Sequence, residues 1–336
     1  ERLRPRIEEV RASGAKLVLV NSKGLDELRG LLHADGAQMR LAEQEKRSTP
    51  TERQGQVILL ERSTIHRMVG KVAWKKLERK RRMKRISTNL EVRVASGERK
   101  LTTENVLAYI EGTDKKDELV VLTAHYDHVG VKEGVVYNGA DDDGTGTVAM
   151  IEIAEAFAQA QRDGHGPRRS VLVMAVSGEE KGLLGSRYYS EDPVLPLSHT
   201  IADLNIDMIG RRDSAHANST PYIYVIGSNR LSSGLHEANE RANSTYTKLD
   251  LDYTFNAEND PNRFYYRSDH YNFARKGIPS VFYFSGIHED YHQPGDDVEK
   301  IDGGLLHQRT LLAFHTAWIL ANQEQRIGVD RPLESR

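Results

Sequence analysis

The chain has 336 residues, with 47 Lys and Arg against 49 Asp and Glu, and no cysteine. The near-neutral balance excludes a globally basic nucleic-acid coat and an acidic disordered chain. The lack of cysteine excludes a disulfide scaffold, a thiolate metal site and a cysteine nucleophile.

A chain of this length holds one large domain or two smaller ones around a sizeable core. No apolar run approaches the ~20 residues of a membrane span. Glu1 is not an initiator Met and no signal peptide is visible, so a trimmed or processed chain is expected. In the first part, residues 2–12 read as a helix that Gly14 ends. Residues 16–20 read as a short buried strand, 35–55 as loop and 57–60 as a second strand. Residues 71–85 carry nine basic side chains and one acid, Glu78. No recognised nucleic-acid motif accompanies them, so a solvated helix or linker between domains is the expectation, with no nucleic-acid partner.

From residue 86 the texture changes. The segment 86–110 reads as a hairpin followed by a strand at 105–110. Further apolar runs occupy 119–123, 170–176, 200–206, 222–226 and 280–284. Helical patterns fall at about 145–161, 182–190, 231–243, 268–276 and 304–322. Strands alternating with helices predict an α/β fold with helices on both faces of the sheet. In such sheets ligands sit beyond the carboxyl ends of the strands.

The acidic and histidine residues fall at those ends. The first core run enters Ala124-His125-Tyr126-Asp127-His128, and the second enters Ser177-Gly178-Glu179-Glu180. The third enters Asp207, and the last enters a loop with His288 and His292. Gly139-Ala140-Asp141-Asp142-Asp143-Gly144 precedes a helix. Singly, each has a plain explanation. A His after a strand is usually a loop residue, the Asp run suits a helix N-cap, and Glu179-Glu180 suits a solvated surface. Asp207 is harder to dismiss, because a carboxylate within an apolar run must be paired or metal-bound. Together they form a histidine and carboxylate set suited to zinc, with manganese or cobalt as alternatives. Five ligands and a spare carboxylate exceed what one catalytic zinc needs. They fit two ions about 3.5–4 Å apart sharing a carboxylate.

The order His125-x-Asp127, Gly-Ala-Asp141-Asp142, Glu179-Glu180, Asn-x-Asp207-Met and His292 resembles the di-zinc exopeptidases of the bacterial leucyl aminopeptidase and aminopeptidase Y type. Glutamate carboxypeptidase II, plasma glutamate carboxypeptidase and glutaminyl cyclase are relatives. The resemblance spans about residues 86–322. It implies a mixed, mainly parallel central sheet and a zinc-dependent aminopeptidase acting on peptides. It implies that His125 and Asp207 bind one zinc, Glu180 and His292 the other, and that Asp141 bridges both. Asp127 would hold the far nitrogen of His125. Asp142 would follow Asp141 through a strained peptide, often cis. Glu179 would be the general base, taking a proton from a metal-bridging water and returning it to the leaving amine. The resemblance also implies an extracytoplasmic location, periplasmic or secreted. Residues 7–21 look like the helix–strand unit of a protease-associated domain. The division expected is therefore a small N-terminal α+β protease-associated-like region with a basic linker at 1–85, and a catalytic domain at 86–336.

Secondary features carry less. Ser268-Asp269-His270 reads as a helix N-cap rather than a triad, because three adjacent side chains cannot each aim at the next. His288 is set aside in favour of His292. Phe264-Tyr265-Tyr266-Arg267 reads equally as pocket lining or core edge. Two glycosylation-type triplets, at Asn218 and Asn243, carry no function. A carboxypeptidase or dipeptidase with the same metal pair would need a cation for the substrate carboxylate, such as Arg187, Arg211, Arg212, Arg263 or Arg267. Remoter alternatives are a one-zinc glutaminyl cyclase, which lacks the first zinc-binding histidine, and an inactive binding module.

Overall fold

The computed structural model describes residues 100–331 and, before them, strands β1 (Leu17–Ser22) and β2 (Gln56–Glu61), helix α1 (Arg62–Val69) and residues 9, 12, 39 and 41. The helix expected over 2–12 lies outside the described residues save 9 and 12, which are helical, as do the loop expected over 35–55 save residues 39 and 41, the basic stretch 71–85 and the hairpin portion 86–99. The chain divides into two compact units, 1–101 and 102–336.

In the first unit β1 and β2 pair in parallel, Leu17 opposite Gln56 through Ser22 opposite Glu61. Both strands follow the two apolar runs. Helix α1 was not foreseen, although Ile65, Met68 and Val69 recur at helical spacing.

The second unit is built on a seven-stranded sheet. Its strands are β3 (Val106–Ile110), β4 (Lys115–His125), β7 (Arg169–Val176), β8 (Thr200–Ile206), β9 (Tyr222–Ile226), β10 (Asp250–Asp252) and β11 (Ser280–Phe284). A two-stranded hairpin, β5 (Gly130–Lys132) and β6 (Val135–Tyr137), stands apart. The sheet order is β10-β9-β11-β8-β4-β7-β3. The β4–β7, β4–β8, β8–β11 and β9–β10 pairs are parallel, whereas β3–β7 and β9–β11 are antiparallel. The sheet is thus mixed and mainly parallel.

The central strands read as continuous apolar runs because both faces are covered. Alternate side chains of β4 and β7 enter different cores. Val120, Leu122, Val171 and Val173 pack with Met150, Ile153 and Phe157 of α2 (Gly146–Arg162) and with Leu312 and Leu320 of α6 (Gly303–Asn322). Leu119, Val121, Leu172 and Met174 pack with Tyr189 of α3 (Leu184–Glu191) and Phe273 of α5 (His270–Ala274). The remaining helix, α4 (Ser233–Ala242), adds Leu235 and Ala238 to the first of these cores. A third, aromatic cluster joins Tyr224, Phe264, Phe282 and Phe284.

The parallel β7, β4, β8 and β11 deliver their carboxyl ends to one edge of the sheet. Arg309 of α6, fully buried, fixes the chain beyond β8: its guanidinium donates to the carbonyls of Ile209 and Arg211, both at 2.7 Å.

Candidate metal centre

Each group at this edge is carried by a strand end or the turn beyond it. His125 is the last residue of β4 and is buried. Glu179 and Glu180 lie in a one-turn helix after β7, opened by Gly178 with φ 75°. Asp207 immediately follows β8, and His292 lies in the loop after β11. The Asp run forms a tight turn, Ala140–Thr145, leading into α2, and its 142–143 peptide is cis.

Asp142 stands at the centre. Its Oδ1 lies 3.2 Å from His125 Nε2, which in turn is 3.6 Å from Asp207 Oδ1. Its Oδ2 lies 3.2 Å from His292 Nε2, which is 3.1 Å from Glu180 Oε1. Asp142 Oδ2 and Glu180 Oε1 are buried and accept no hydrogen bond. A buried carboxylate oxygen without a donor is costly unless a cation meets it. The donors are imidazole and carboxylate only, the set that zinc takes in catalytic sites. His125, Asp142 and Asp207 can thus hold one ion, and His128, Asp142 and Glu180 form a second such group.

Asp141, expected as the shared ligand, is turned away. Its Oδ1 accepts the Gly210 amide at 2.6 Å and the Thr145 hydroxyl at 2.9 Å, and its Oδ2 faces His288 Nε2 at 3.2 Å. Both Asp141 and His288 are buried. Consecutive carboxylates in this turn point to opposite sides, so Asp142, and not the Asp141 that the resemblance implies, faces both His125 and His292. The cis bond likewise follows Asp142 and not Asp141. The turn is held from below by Asp296, whose carboxylate accepts the amides of Asp141 and Asp142 at 3.1 Å.

Asp127 also differs from expectation. The Nδ1–H of His125 donates to the Asp127 backbone carbonyl at 2.8 Å, while the Asp127 carboxylate is 3.8 Å away. That carboxylate accepts the Glu179 amide at 3.1 Å. The chain reverses after β4, so the main chain of residue 127 returns to the ring while its side chain crosses to the turn after β7. His125 is held as expected, but by another atom of the same residue.

Ser268 does not cap α5. Its hydroxyl donates to Asp207 Oδ2 at 2.7 Å and accepts from Asn205 Nδ2 at 2.8 Å. His128, three residues beyond His125, reaches the same centre, with Nδ1 3.2 Å from Glu180 Oε1. Of the two glycosylation-type triplets, Asn243 is buried and bonded to Leu249, whereas Asn218 is exposed.

Electrostatics separate the acids. Burial opposes ionisation of Glu180, yet the His128 and His292 imidazoles outweigh it and bring it down to about 2. Asp142 is likewise held low by His125 and His292 against its burial. His292 rises to about 9: burial disfavours its charge, but Asp142 and Glu180 favour it. Burial pushes Glu179 well above the usual carboxylate range, and Asp207 and Asp269 add to the rise.

A pocket opens beside these groups. Asp142, Glu179, Glu180 and Asp207 form its polar wall, Met208, Phe264, Phe282, Phe284 and Ile287 its apolar wall, and Arg267 and Tyr291 its far side.

Comparison with known proteins gives a match to the model of peptidase family M28 over residues 105–317. A probable leucine aminopeptidase from Arthroderma otae is 28% identical over 231 residues, covering 67% of this chain and 59% of its own. A probable glutamate carboxypeptidase from Arabidopsis thaliana is 33% identical over 121 residues, covering 36% of this chain and 17% of its own. Among solved structures, a zinc aminopeptidase from Bacillus subtilis superposes with a TM-score of 0.52 at 24% identity, covering 68% of this chain and 53% of that one. The chain therefore spans at most about three-fifths of these relatives.

Proposed function

This chain belongs to peptidase family M28, and from that premise we propose that it is a zinc-dependent aminopeptidase with two zinc ions, releasing N-terminal residues from peptides. The observation that carries the reading is the Asp142 carboxylate set between two groups of donors. His125, Asp142 and Asp207 would hold one zinc, and Asp142, Glu180 and His292 the other. Zinc bound there would polarise the scissile carbonyl and lower the pKa of the attacking water towards ~7. Glu179, its Oε2 3.9 Å from His125 Nε2, would take a proton from the attacking water and pass it to the leaving amine. Asp127 fixes the Glu179 main chain and Ser268 fixes Asp207. The apolar wall suits a hydrophobic side chain on the residue released.

The test uses protein reconstituted with zinc, aminoacyl anilides and N-blocked peptides. We expect about two zinc ions per chain and cleavage of the anilides. Glu179→Gln should keep both ions and lose ~10²–10⁴-fold in turnover, the usual worth of a general base. Near-normal turnover by that variant would refute the base assignment. Cleavage confined to N-blocked peptides would favour a carboxypeptidase, for which Arg267 offers a cation in the pocket. We further propose an extracytoplasmic location, carried by the family resemblance and tested by cell fractionation.

A further inference from the structure

Neither the motif spacing nor the proposed reaction uses the chemistry of His128. Its side chain is 10% exposed, and neither ring nitrogen makes a hydrogen bond. Nδ1 nevertheless lies 3.2 Å from Glu180 Oε1 and 3.9 Å from Asp142 Oδ2. Those two oxygens are the ones that His292 Nε2 faces at 3.1 and 3.2 Å, and they too accept no hydrogen bond. Two imidazole nitrogens and two carboxylate oxygens are thus gathered at ion-pair distances without hydrogen-bond geometry between them, which is how donors stand when they are directed at a common point. Four donors each 2.0–2.1 Å from a tetrahedral zinc lie about 3.3 Å apart, close to three of the four distances here and not far from the fourth.

The surroundings are shaped for the ring. Gly139, with φ 67°, lies against it: a Cβ there would come within 2.4 Å of His128 Cγ and 2.8 Å of Cδ2. The His128 and His292 rings meet edge-on, with centroids 6.0 Å apart. A purely packing role at such a place is met more cheaply by an apolar side chain, because a buried imidazole without partners forfeits its hydration.

We propose that His128 Nδ1 is a further protein donor at the metal position formed by Asp142, Glu180 and His292. The proposal rests on the two-metal reading above and adds to it an asymmetry. One position has four protein donors, and the other, built from His125, Asp142 and Asp207, has three. The four-donor position binds zinc more tightly and is filled first.

The test is a zinc titration of the metal-free protein against a chromophoric chelator, with far-ultraviolet circular dichroism as the check on folding. His125→Ala and His292→Ala assign the two binding steps to the two positions. In the wild type we expect two steps, the tighter lost in His292→Ala. His128→Ala should weaken that same step at least tenfold and leave the other within twofold. His128→Asn keeps a polar side chain of similar reach without the imidazole. It replaces the alanine variant should that one not fold, and should weaken the same step. Two wild-type steps that both survive in the His128 variants, or a loss confined to the His125 step, would overturn the proposal while leaving the two-metal reading intact. A wild type that takes up fewer than two ions would overturn both.

Discussion

The resemblance implies Asp141 as the shared carboxylate and the geometry points to Asp142, and substitution by asparagine decides between them. Asn preserves shape and removes the charge. In Asp142→Asn the group facing both His125 and His292 loses its anion, so both metal positions lose a donor at once. Loss of groups that merely orient ligands already costs ~10–100-fold in metal affinity. Loss of a shared ligand should therefore cost at least about 100-fold at each position, or about 2.7 kcal/mol. Asp141→Asn retains an oxygen for the Gly210 amide and the Thr145 hydroxyl and leaves Asp142 in place. It should retain two zinc ions with less than tenfold weakening. Its cost appears instead as stability, because the buried contact with His288 changes.

The assay is zinc per chain by elemental mass spectrometry after dialysis against a weak chelator, with thermal melting measured on the same samples. Asp142→Asn should come through with neither ion, and Asp141→Asn with both and a lower Tm. The reverse pattern would refute the assignment made from the geometry and restore the shared role to Asp141.

Two further outcomes follow from contacts at the same edge. Ser268→Ala removes the hydroxyl that donates to Asp207 and should weaken zinc ~10–100-fold at the His125 position only, read as one altered step in the zinc titration. Zinc uptake should also release protons. His292 titrates at about 9 in the metal-free protein and must be neutral to bind, so at pH 7.5 calorimetry in buffers of differing ionisation enthalpy should show at least one proton released per chain. The sign extends to stability. The folded His292 pKa exceeds the ordinary 6.5, so its contribution to the metal-free protein is full below about pH 6.5 and is lost as pH rises through 9. A metal-free Tm that rose over that window in the wild type but not in His292→Ala would contradict this.

What the residues disclosed follows from how strongly burial constrains them. The carboxyl halves of β4, β7, β8 and β11 are buried on both faces, so each is largely apolar and ends where the polar site begins. The placement of His125, Glu180, Asp207 and His292 at strand ends was legible for that reason. Strands of three residues, such as β5, β6 and β10, are too short to show a period. β4 begins at Lys115, earlier than its apolar run, because its polar start is joined by a pairing of Lys115 with Arg169 across an irregularity. Within the site, type and spacing were readable but orientation was not. Three successive aspartates offer three carboxylates, and only the fold of the turn decides that Asp142 faces the histidines and Asp141 faces Gly210. Ser268 was hidden because its partner Asp207 lies far away in sequence. His128 was visible in its motif but unused, since five ligands already satisfied the resemblance.

The division of acids at this edge explains how so many carboxylates coexist. Those that face imidazoles, Asp142 and Glu180, are held ionised. The Asp203 carboxylate, on β8 beside β4, accepts from the Thr123 hydroxyl, and burial pushes it well up. Asp269 is raised to about 7 by burial, although His125 and the Ser186 hydroxyl oppose the rise. Glu179 lies between these groups. It is close enough to His125 to be favoured as an anion, yet buried among Asp207, Asp269 and Asp142, which disfavour it. Burial and these neighbouring acids thus favour its protonated form in the metal-free protein. A divalent cation held by Asp142, as proposed, would add positive charge near Glu179 and lower its pKa. Filling of the proposed metal positions would thus favour the Glu179 anion that its proposed role as base needs.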